Sequence, residues 1–318
     1  MATGEDDVQI DHDPSRQLLA QVDDLLEAAA GADGVPALNE AGVLALRHPH
    51  RGGTRHLVAA ADGEAVGYAQ LADDGTGQLV VHPAHRRRGT GRLLVAALLD
   101  EAGRLGVRLQ VWALGNTPAA AGLATRTGLA PARVLLVMTR PLADLPVPAL
   151  PPGFVVSTFV PGADEDAWLH VNARAFAHHP EQGSIDREDL AERTAEPWFD
   201  PAGFFLARAT DDAAPGAPVL GFHWTKQHDA LGEPGLGEVY VLGVDPDAQG
   251  RGLAKALLLT GLAHLRDAGD ETVELYVEAD QAGPVGLYTA YGFTESSRDV
   301  MYAGPGAETP ADDPSGSA

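Results

Sequence analysis

The chain has 318 residues, 45% of them hydrophobic, enough for one large core or two of ordinary domain size, and the usual domain size favours two. Against 22 Lys and Arg stand 45 Asp and Glu, a formal charge of −23, so the overall field repels DNA, RNA and anionic membranes. The absence of cysteine excludes disulfides, thiolate metal sites and a cysteine nucleophile, so any group transfer must be direct or run through another side chain. The acidic opening MATGEDDVQIDHD lacks the basic and apolar regions of a signal peptide, and no apolar run reaches the ~18 residues of a spanning helix. A soluble, cytoplasmic chain is expected, without nucleic-acid or membrane partner and with a monomer as the working expectation.

In chain order, HLVAAADGEAVGYAQLADDGTGQLVV (56–81) alternates apolar and polar residues around Asp/Gly turns and reads as a β-meander. A Pro-containing loop and a Gly-containing loop follow, then a helix whose Leu94, Leu98, Ala102 and Leu105 form one apolar face. A strand (VRLQVWAL), a short helix ending at Gly128-Leu129 and a last strand (ARVLLVMTR) complete a first domain, 1–140. Five prolines in 141–153 disfavour helix and internal strand and mark a linker.

The second domain, 154–303, repeats the pattern. GFFLARA, PVLGFHWTKQHD and GEVYVLGV are its strands, and the helix face is Ala254, Leu258, Leu262 and Leu265. The strand ETVELYVEA, a helix ending at Gly292-Phe293 and the strand SRDVMYAG follow, then a small, polar tail, 304–318, expected to be disordered. The two copies align without gaps from Leu79 to Gly91 and from Leu242 to Ala254, an offset of 163 residues.

Within this repeat, Arg86-x-x-Gly89-x-Gly91 and Gln249-x-x-Gly252-x-Ala254 each sit between a strand and a helix. Successive backbone N–H groups at a helix N-terminus, with small residues allowing close approach, form a cradle for pyrophosphate. Arg86, Arg87, Arg88 and Arg92 in one copy, and Arg251 and Lys255 in the other, would suit a ligand with additional phosphate charge. The dinucleotide fingerprint fails because Leu94 stands where its third glycine would be, and no P-loop sequence occurs.

On these residues the chain resembles the GNAT acetyltransferase superfamily over nearly its whole ordered length. The resemblance implies an α/β (α+β) fold of two tandem GNAT domains, each a mixed, mainly antiparallel sheet flanked by helices, with a splay between strands four and five. It implies acetyl-CoA as cosubstrate and no metal. The pyrophosphate would lie at the motif and the thioester beside backbone amides of Glu238–Val244. The cofactor residues would be Leu79, Val80, Val81, Arg87, Arg88, Gly89, Thr90, Gly91 and Arg92 in the first domain. In the second they would be Leu242, Gly243, Val244, Gln249, Gly250, Arg251, Gly252, Leu253, Ala254 and Lys255, with Gln281, Ala282, Gly283, Pro284, Val285 and Gly286. Gln281 departs from the asparagine that many relatives place near the pantetheine arm.

FAHHPEQG (176–183), EPWFDPAGF (196–204), LGFHWTK (220–226), GLGEVYVLGVDP (235–246) and LYVEAD (275–280) lie largely outside the general signature. They resemble the mycothiol synthases, tandem GNAT enzymes that acetylate the cysteinyl amine of a cysteine-glucosamine-inositol pseudodisaccharide. That likeness implies a small-molecule amine substrate contacted by Glu40, Glu181, Lys226, Glu238 and Tyr276.

Tyr288, four residues before Gly292, occupies the place where GNAT enzymes often carry a general acid; a core tyrosine is the alternative. Glu238 opens the strand facing the acetyl group and could take the amine proton, or could instead bind the substrate ammonium or hydroxyls. The first-domain counterparts are Ala124 and, near Gly75-Thr76, no carboxylate. The second domain is therefore expected to catalyse and the first to bind acetyl-CoA without catalysing. His178 and His179 lack a third ligand at metal-like spacing and are read as loop or pocket histidines. Trp168, Trp198 and Trp224 are read as core or pocket walls. Acetylation of another amine, or a non-catalytic acetyl-CoA sensor, are the competing readings.

Overall fold

Asp62 and Gly63 both adopt positive φ, the conformation a two-residue hairpin turn requires, and they join β2 (Thr54–Ala61) to β3 (Glu64–Ala72). In this computed structural model, which describes residues 8–49, 52–179, 182–228, 232 and 234–305, that hairpin is the centre of a first compact unit, Met1–Leu135 with Ser297–Ala318. β1 (Gln9–Asp11) pairs antiparallel with β2, and β4 (Thr76–Val81) antiparallel with β3 in unbroken register. On one side of this sheet lie α1 (Arg16–Leu19), α2 (Val22–Asp33) and α3 (Glu40–Arg47); α2 contributes Val22, Leu25 and Ala29 to a cluster with Val58, Tyr68 and Val80, and Leu18, Leu19, Val43 and Leu46 of the other two pack against it. The other side is covered by α4 (Thr90–Leu105): Leu94, Leu98 and Ala102 of the expected face are buried, and Leu105 packs at its margin.

β5 (Gln110–Ala113) runs parallel to β4, but they pair only at Thr76↔Gln110 and Gly77↔Val111 before separating. This opening is the expected splay. α5 (Pro118–Arg126) follows, with Thr117 as its N-cap.

The second unit is Leu136–Ser296. β7 (Phe154–Thr158), β8 (Phe204–Ala209), β9 (Gly221–Gln227) and β10 (Leu236–Val244) form an antiparallel meander. β11 (Thr272–Glu278) is parallel to β10 and paired with it only from Leu236↔Thr272 to Glu238↔Glu274. α6 (Glu165–Ala175) and α7 (Arg187–Ala195) cover the aromatic face, where Trp168, Phe204, Phe222 and Trp224 interlock. α8 (Leu253–Ala268) covers the other face with Leu258, Leu262 and Leu265, and α9 (Ala282–Ala290) adds Tyr288. Beneath the meander, the buried Arg208 guanidinium donates to Asp164 at 2.6 Å, to the Ser157 hydroxyl and to the Ala217 carbonyl. Asp164 also accepts from the amides of Val160 and Gly216, so both buried charges are fully engaged.

The domain boundaries expected from the prolines need correction. β6 (Ala130–Pro141) enters the second unit, where Met138 and Leu142 join its core and the Leu142 amide donates to Glu271 at 2.8 Å. β12 (Thr294–Ala303) leaves it, and Val300–Ala303 pair antiparallel with Gln110–Ala113 in the first unit. Each unit is thus completed by strand residues from the other half of the sequence. The expected disordered tail also begins too early: the Gly304 amide donates to Leu109 and its carbonyl accepts from Arg108, while 306–318 lie outside the described residues. Among the described residues no helix is long and apolar enough to cross a membrane.

Candidate active site

The two glycine loops are built alike. His82 and Asp245, 163 residues apart, each cap the short turn that follows their strand, accepting from the amides of Ala84 and Asp247. Arg87 and Gly250 both take positive φ, 66° and 73°, as do Gly89 and Gly252, at 96° and 81°. Those values bend the chain into α4 and α8, whose opening amides precede the first intrahelical hydrogen bonds. Such amides, with the buried Thr90 hydroxyl that lacks a protein partner, suit a phosphate group. Arg87, Arg88 and Arg92 are exposed in the first loop, and Arg251 and Lys255 in the second. Arg86, which also lines the cavity at this loop, donates to the Val81 carbonyl and forms a bidentate pair with Asp33 at 2.6 and 2.8 Å, so it braces the loop.

In the first unit the cradle opens into a cavity of about 590 Å³ at the splay, lined by Leu79, Val80, Val81, Arg87, Gly89, Gly91 and Arg92 on one wall and by Trp112 and Ala113 of β5 on the other. Its apolar walls and exposed arginines suit a ligand with an apolar arm and an anionic head. Facing it, α5 carries Ala124 and no ionisable side chain at that position.

In the second unit a charged cluster gathers on neighbouring strands. Register places Lys226 on β9 directly opposite Glu238 on β10, with Nζ 3.9 Å from Oε2. Glu238 is 7% exposed, and its Oε2 lies 2.9 Å from His228 Nε2, which is itself 3.8 Å from Glu274 Oε1. The Lys226 ammonium sits over the rings of Trp198 and Tyr240, at 4.7 and 5.2 Å from their centroids. The Tyr276 hydroxyl donates to Glu274 at 3.4 Å, and Tyr276 is 43% exposed, at the margin of the group. Burial alone would lower the His228 pKa; the hydrogen bond and charge of Glu238, helped by Glu274, outweigh that and the repulsion of Lys226, and hold it above the ordinary value. The donor atoms of His228, Glu238 and Glu274 lie within 4.8 Å of one another and could surround a cation, a role open to a substrate ammonium as well as to a metal.

A β-bulge lies two residues beyond Glu238. Val239 pairs with Thr225 and Val241 with Trp224, leaving Tyr240 as the extra residue, whereas β4 of the first unit has no such break. A bulge turns backbone groups out of the ladder, here in the strand expected to face the thioester. Tyr288 is buried on α9 against Phe293, and burial raises its phenol well above the ordinary pKa. It belongs to the same core cluster as Val239 and Leu275, and thus lies on the opposite face of the sheet from Glu238.

Of the remaining expected residues, Gln281 is the N-cap of α9 without a side-chain capping bond, and Gln281–Pro284 and Gly286 are exposed along its first turns. Glu40 is the first residue of α3, and Glu181 lies outside the described residues. His179 Nδ1 accepts from the Gln182 amide in a loop. Trp168 and Trp224 are core; Trp198 is core on one side and a wall for Lys226 on the other. Sequence reasoning missed His228 and Glu274. Strand alternation held the signal, since each lies two residues from an expected site residue, Lys226 and Tyr276, and so faces the same way.

Duplicated cradle, paired splays and duplicated meander define a tandem GNAT acetyltransferase. The acetyltransferase (GNAT) family matches residues 167–293 and the acetyltransferase (GNAT) domain residues 52–128. A mycothiol acetyltransferase of Streptomyces avermitilis is 52% identical over 87% of this chain and 89% of its own length. One from Thermobispora bispora is 53% identical over 87% and 93%. Among solved structures, a GCN5-related N-acetyltransferase from Sphaerobacter thermophilus superposes with a TM-score of 0.66 at 27% identity, over 94% of this chain and 96% of that one. The chain belongs to the mycothiol acetyltransferase family.

Proposed function

We propose that this enzyme transfers the acetyl group of acetyl-CoA to the cysteinyl amine of 1D-myo-inositol 2-(L-cysteinylamino)-2-deoxy-glucopyranoside, giving mycothiol, and that the second unit performs the reaction. The buried Glu238 beside the Tyr240 bulge carries this reading: a carboxylate at the end of the paired part of β10, next to backbone turned out of its ladder. Glu238 takes a proton from the substrate ammonium, and the freed amine attacks the thioester carbonyl directly. The attacking nitrogen gives up its second proton to water as the carbon–sulfur bond breaks, and Tyr288 supplies a proton to the leaving thiolate and regains one from water. Lys226, Glu40, Glu181 and Tyr276 hold the sugar and cysteine groups.

The first unit binds acetyl-CoA in its cavity but has Ala124 in place of the acid and no carboxylate at Gly75-Thr76, so it does not turn over. The work of the base is small, because with a reference pKa of about 7.7–8.0 roughly a tenth of an α-amine is already neutral at pH 7. CoA thiol release with a panel of amines tests the proposal. The cysteinyl-glucosaminyl-inositol should give the highest kcat/KM, with one acetyl group on nitrogen; equal turnover of an aminoglycoside or a peptide N-terminus would contradict it.

A further inference from the structure

Lys226, near the end of β9, and His228, just beyond it, both reach the carboxylate of Glu238. The His228 amide extends the β9–β10 ladder by donating to the Leu236 carbonyl at 2.9 Å, so strand alternation brings its ring out on the face of Lys226. Both side chains address the same oxygen: Oε2 lies 2.9 Å from His228 Nε2 and 3.9 Å from Lys226 Nζ. A carboxylate that is to act as base must be ionised, and an ionised carboxylate only accepts, so Nε2 carries a proton and donates it to Oε2. Glu274, the register partner of Glu238 on β11, has Oε1 3.8 Å from the same ring nitrogen, so this N–H serves two carboxylates that repel across neighbouring strands. Burial opposes charge on the ring, as does Lys226, but the hydrogen bond and charge of Glu238, with Glu274 behind them, hold its pKa above the ordinary value. His228, Lys226 and Glu274 make further interactions besides these, so the donor is held by more than the carboxylate it serves.

We propose that His228 is the positioning residue of Glu238: its Nε2–H ties down Oε2 and so presents Oε1 to the substrate amine. This inference rests on Glu238 acting as the base. A glutamate side chain turns about several bonds, and a base that wanders from its amine loses the advantage of proximity. With Oε2 held, the proton of the substrate ammonium passes to Oε1. An N–H bond of the ammonium breaks, an O–H bond forms at Oε1, and the hydrogen bond from Nε2 to Oε2 stays in place before and after. His228 keeps its own proton throughout. Loss of the Oε1 proton to water restores the carboxylate.

Steady-state kinetics of His228 variants, alone and in a Glu238→Gln background, tests this. His228→Leu removes the donor, His228→Asn is too short to bring one to Oε2, and His228→Gln puts an amide N–H near the place of Nε2. Roughly a tenth of an α-amine is already neutral at pH 7, which bounds what a misplaced base can cost. His228→Leu and His228→Asn should therefore lower kcat at pH 7 by about three- to tenfold, with KM for acetyl-CoA unchanged, and His228→Gln should stay within about twofold of the wild type. The defect should fade at higher pH, where free amine accumulates, whereas a packing fault would persist. In the Glu238→Gln background, His228→Leu should cost nothing further, because there is no base left to position. Thermal melts establish that each variant is folded. An unimpaired His228→Leu, a His228→Gln as impaired as His228→Leu, or equal losses in both backgrounds overturns the positioning role while leaving Glu238 as the base. A Glu238→Gln enzyme of wild-type activity overturns the base reading itself and the positioning role with it.

Discussion

Arg86 and Gln249, 163 residues apart, do the same work with different chemistry: Arg86 Nε donates to the Val81 carbonyl at 3.0 Å and Gln249 Nε2 to the Val244 carbonyl at 3.2 Å. Both side chains close a glycine loop onto the end of its own strand, which explains why the first motif position accepts either residue. Arg86 adds the pair with Asp33. Gln249→Ala should therefore loosen the second cradle and raise KM for acetyl-CoA several-fold, with kcat changed less. Arg86→Gln, which keeps the strand-end donor and loses only the pair with Asp33, should leave turnover within about twofold, as expected for a partly exposed ion pair. Steady-state kinetics of the two variants checks both.

Glu40 opens α3, and the family resemblance assigns it to the amine substrate. Glu40→Ala should raise KM for the cysteinyl sugar and leave KM for acetyl-CoA nearly unchanged, the signature of lost substrate binding. An unchanged amine KM would remove Glu40 from the site.

Acid and base separate by pH. Glu238→Gln should recover as the pH rises, because free amine accumulates without a base. Tyr288→Phe should not, since higher pH supplies no donor for the thiolate. Burial raises the Tyr288 pKa, so the phenol keeps its proton throughout the working range and the wild-type profile should show no alkaline limb from it. Rescue of Tyr288→Phe at high pH, with Glu238→Gln still impaired, would exchange the two roles.

The Asp164–Arg208 pair is a matter of stability rather than chemistry. Asp164→Ala would leave a guanidinium that is 1% exposed without its carboxylate, and should destabilise the second unit by about 3–5 kcal/mol. Chemical denaturation monitored by tryptophan fluorescence reads the loss, since Trp168 and Trp224 lie in that core.

What the sequence revealed and what it hid follow from how each feature is encoded. The cradle is local: two glycines between a strand and a helix suffice, and the faces Leu94-Leu98-Ala102 and Leu258-Leu262-Leu265 appear where their spacing puts them. The exchange of β6 and β12 is not local. ARVLLVMTR and SRDVMYAG alternate alike, and nothing within either says which sheet it will complete. The Tyr240 bulge is one residue of register, visible only once β9 is laid beside β10. His228 joins Glu238 and Glu274 only because three strands adjoin, so no single stretch of sequence announces the group.

The most direct test of the account compares Gly89→Val with Gly252→Val. Both glycines hold positive φ at the start of their helices, at 96° and 81°, a conformation that a β-branched residue adopts only with strain. Acetyl-CoA stoichiometry by calorimetry and amide formation by mass spectrometry are measured on each variant. Gly89→Val should lose the first acetyl-CoA site and retain turnover, while Gly252→Val should abolish turnover and keep that site. Loss of turnover in Gly89→Val as complete as in Gly252→Val would contradict a reaction confined to the second unit.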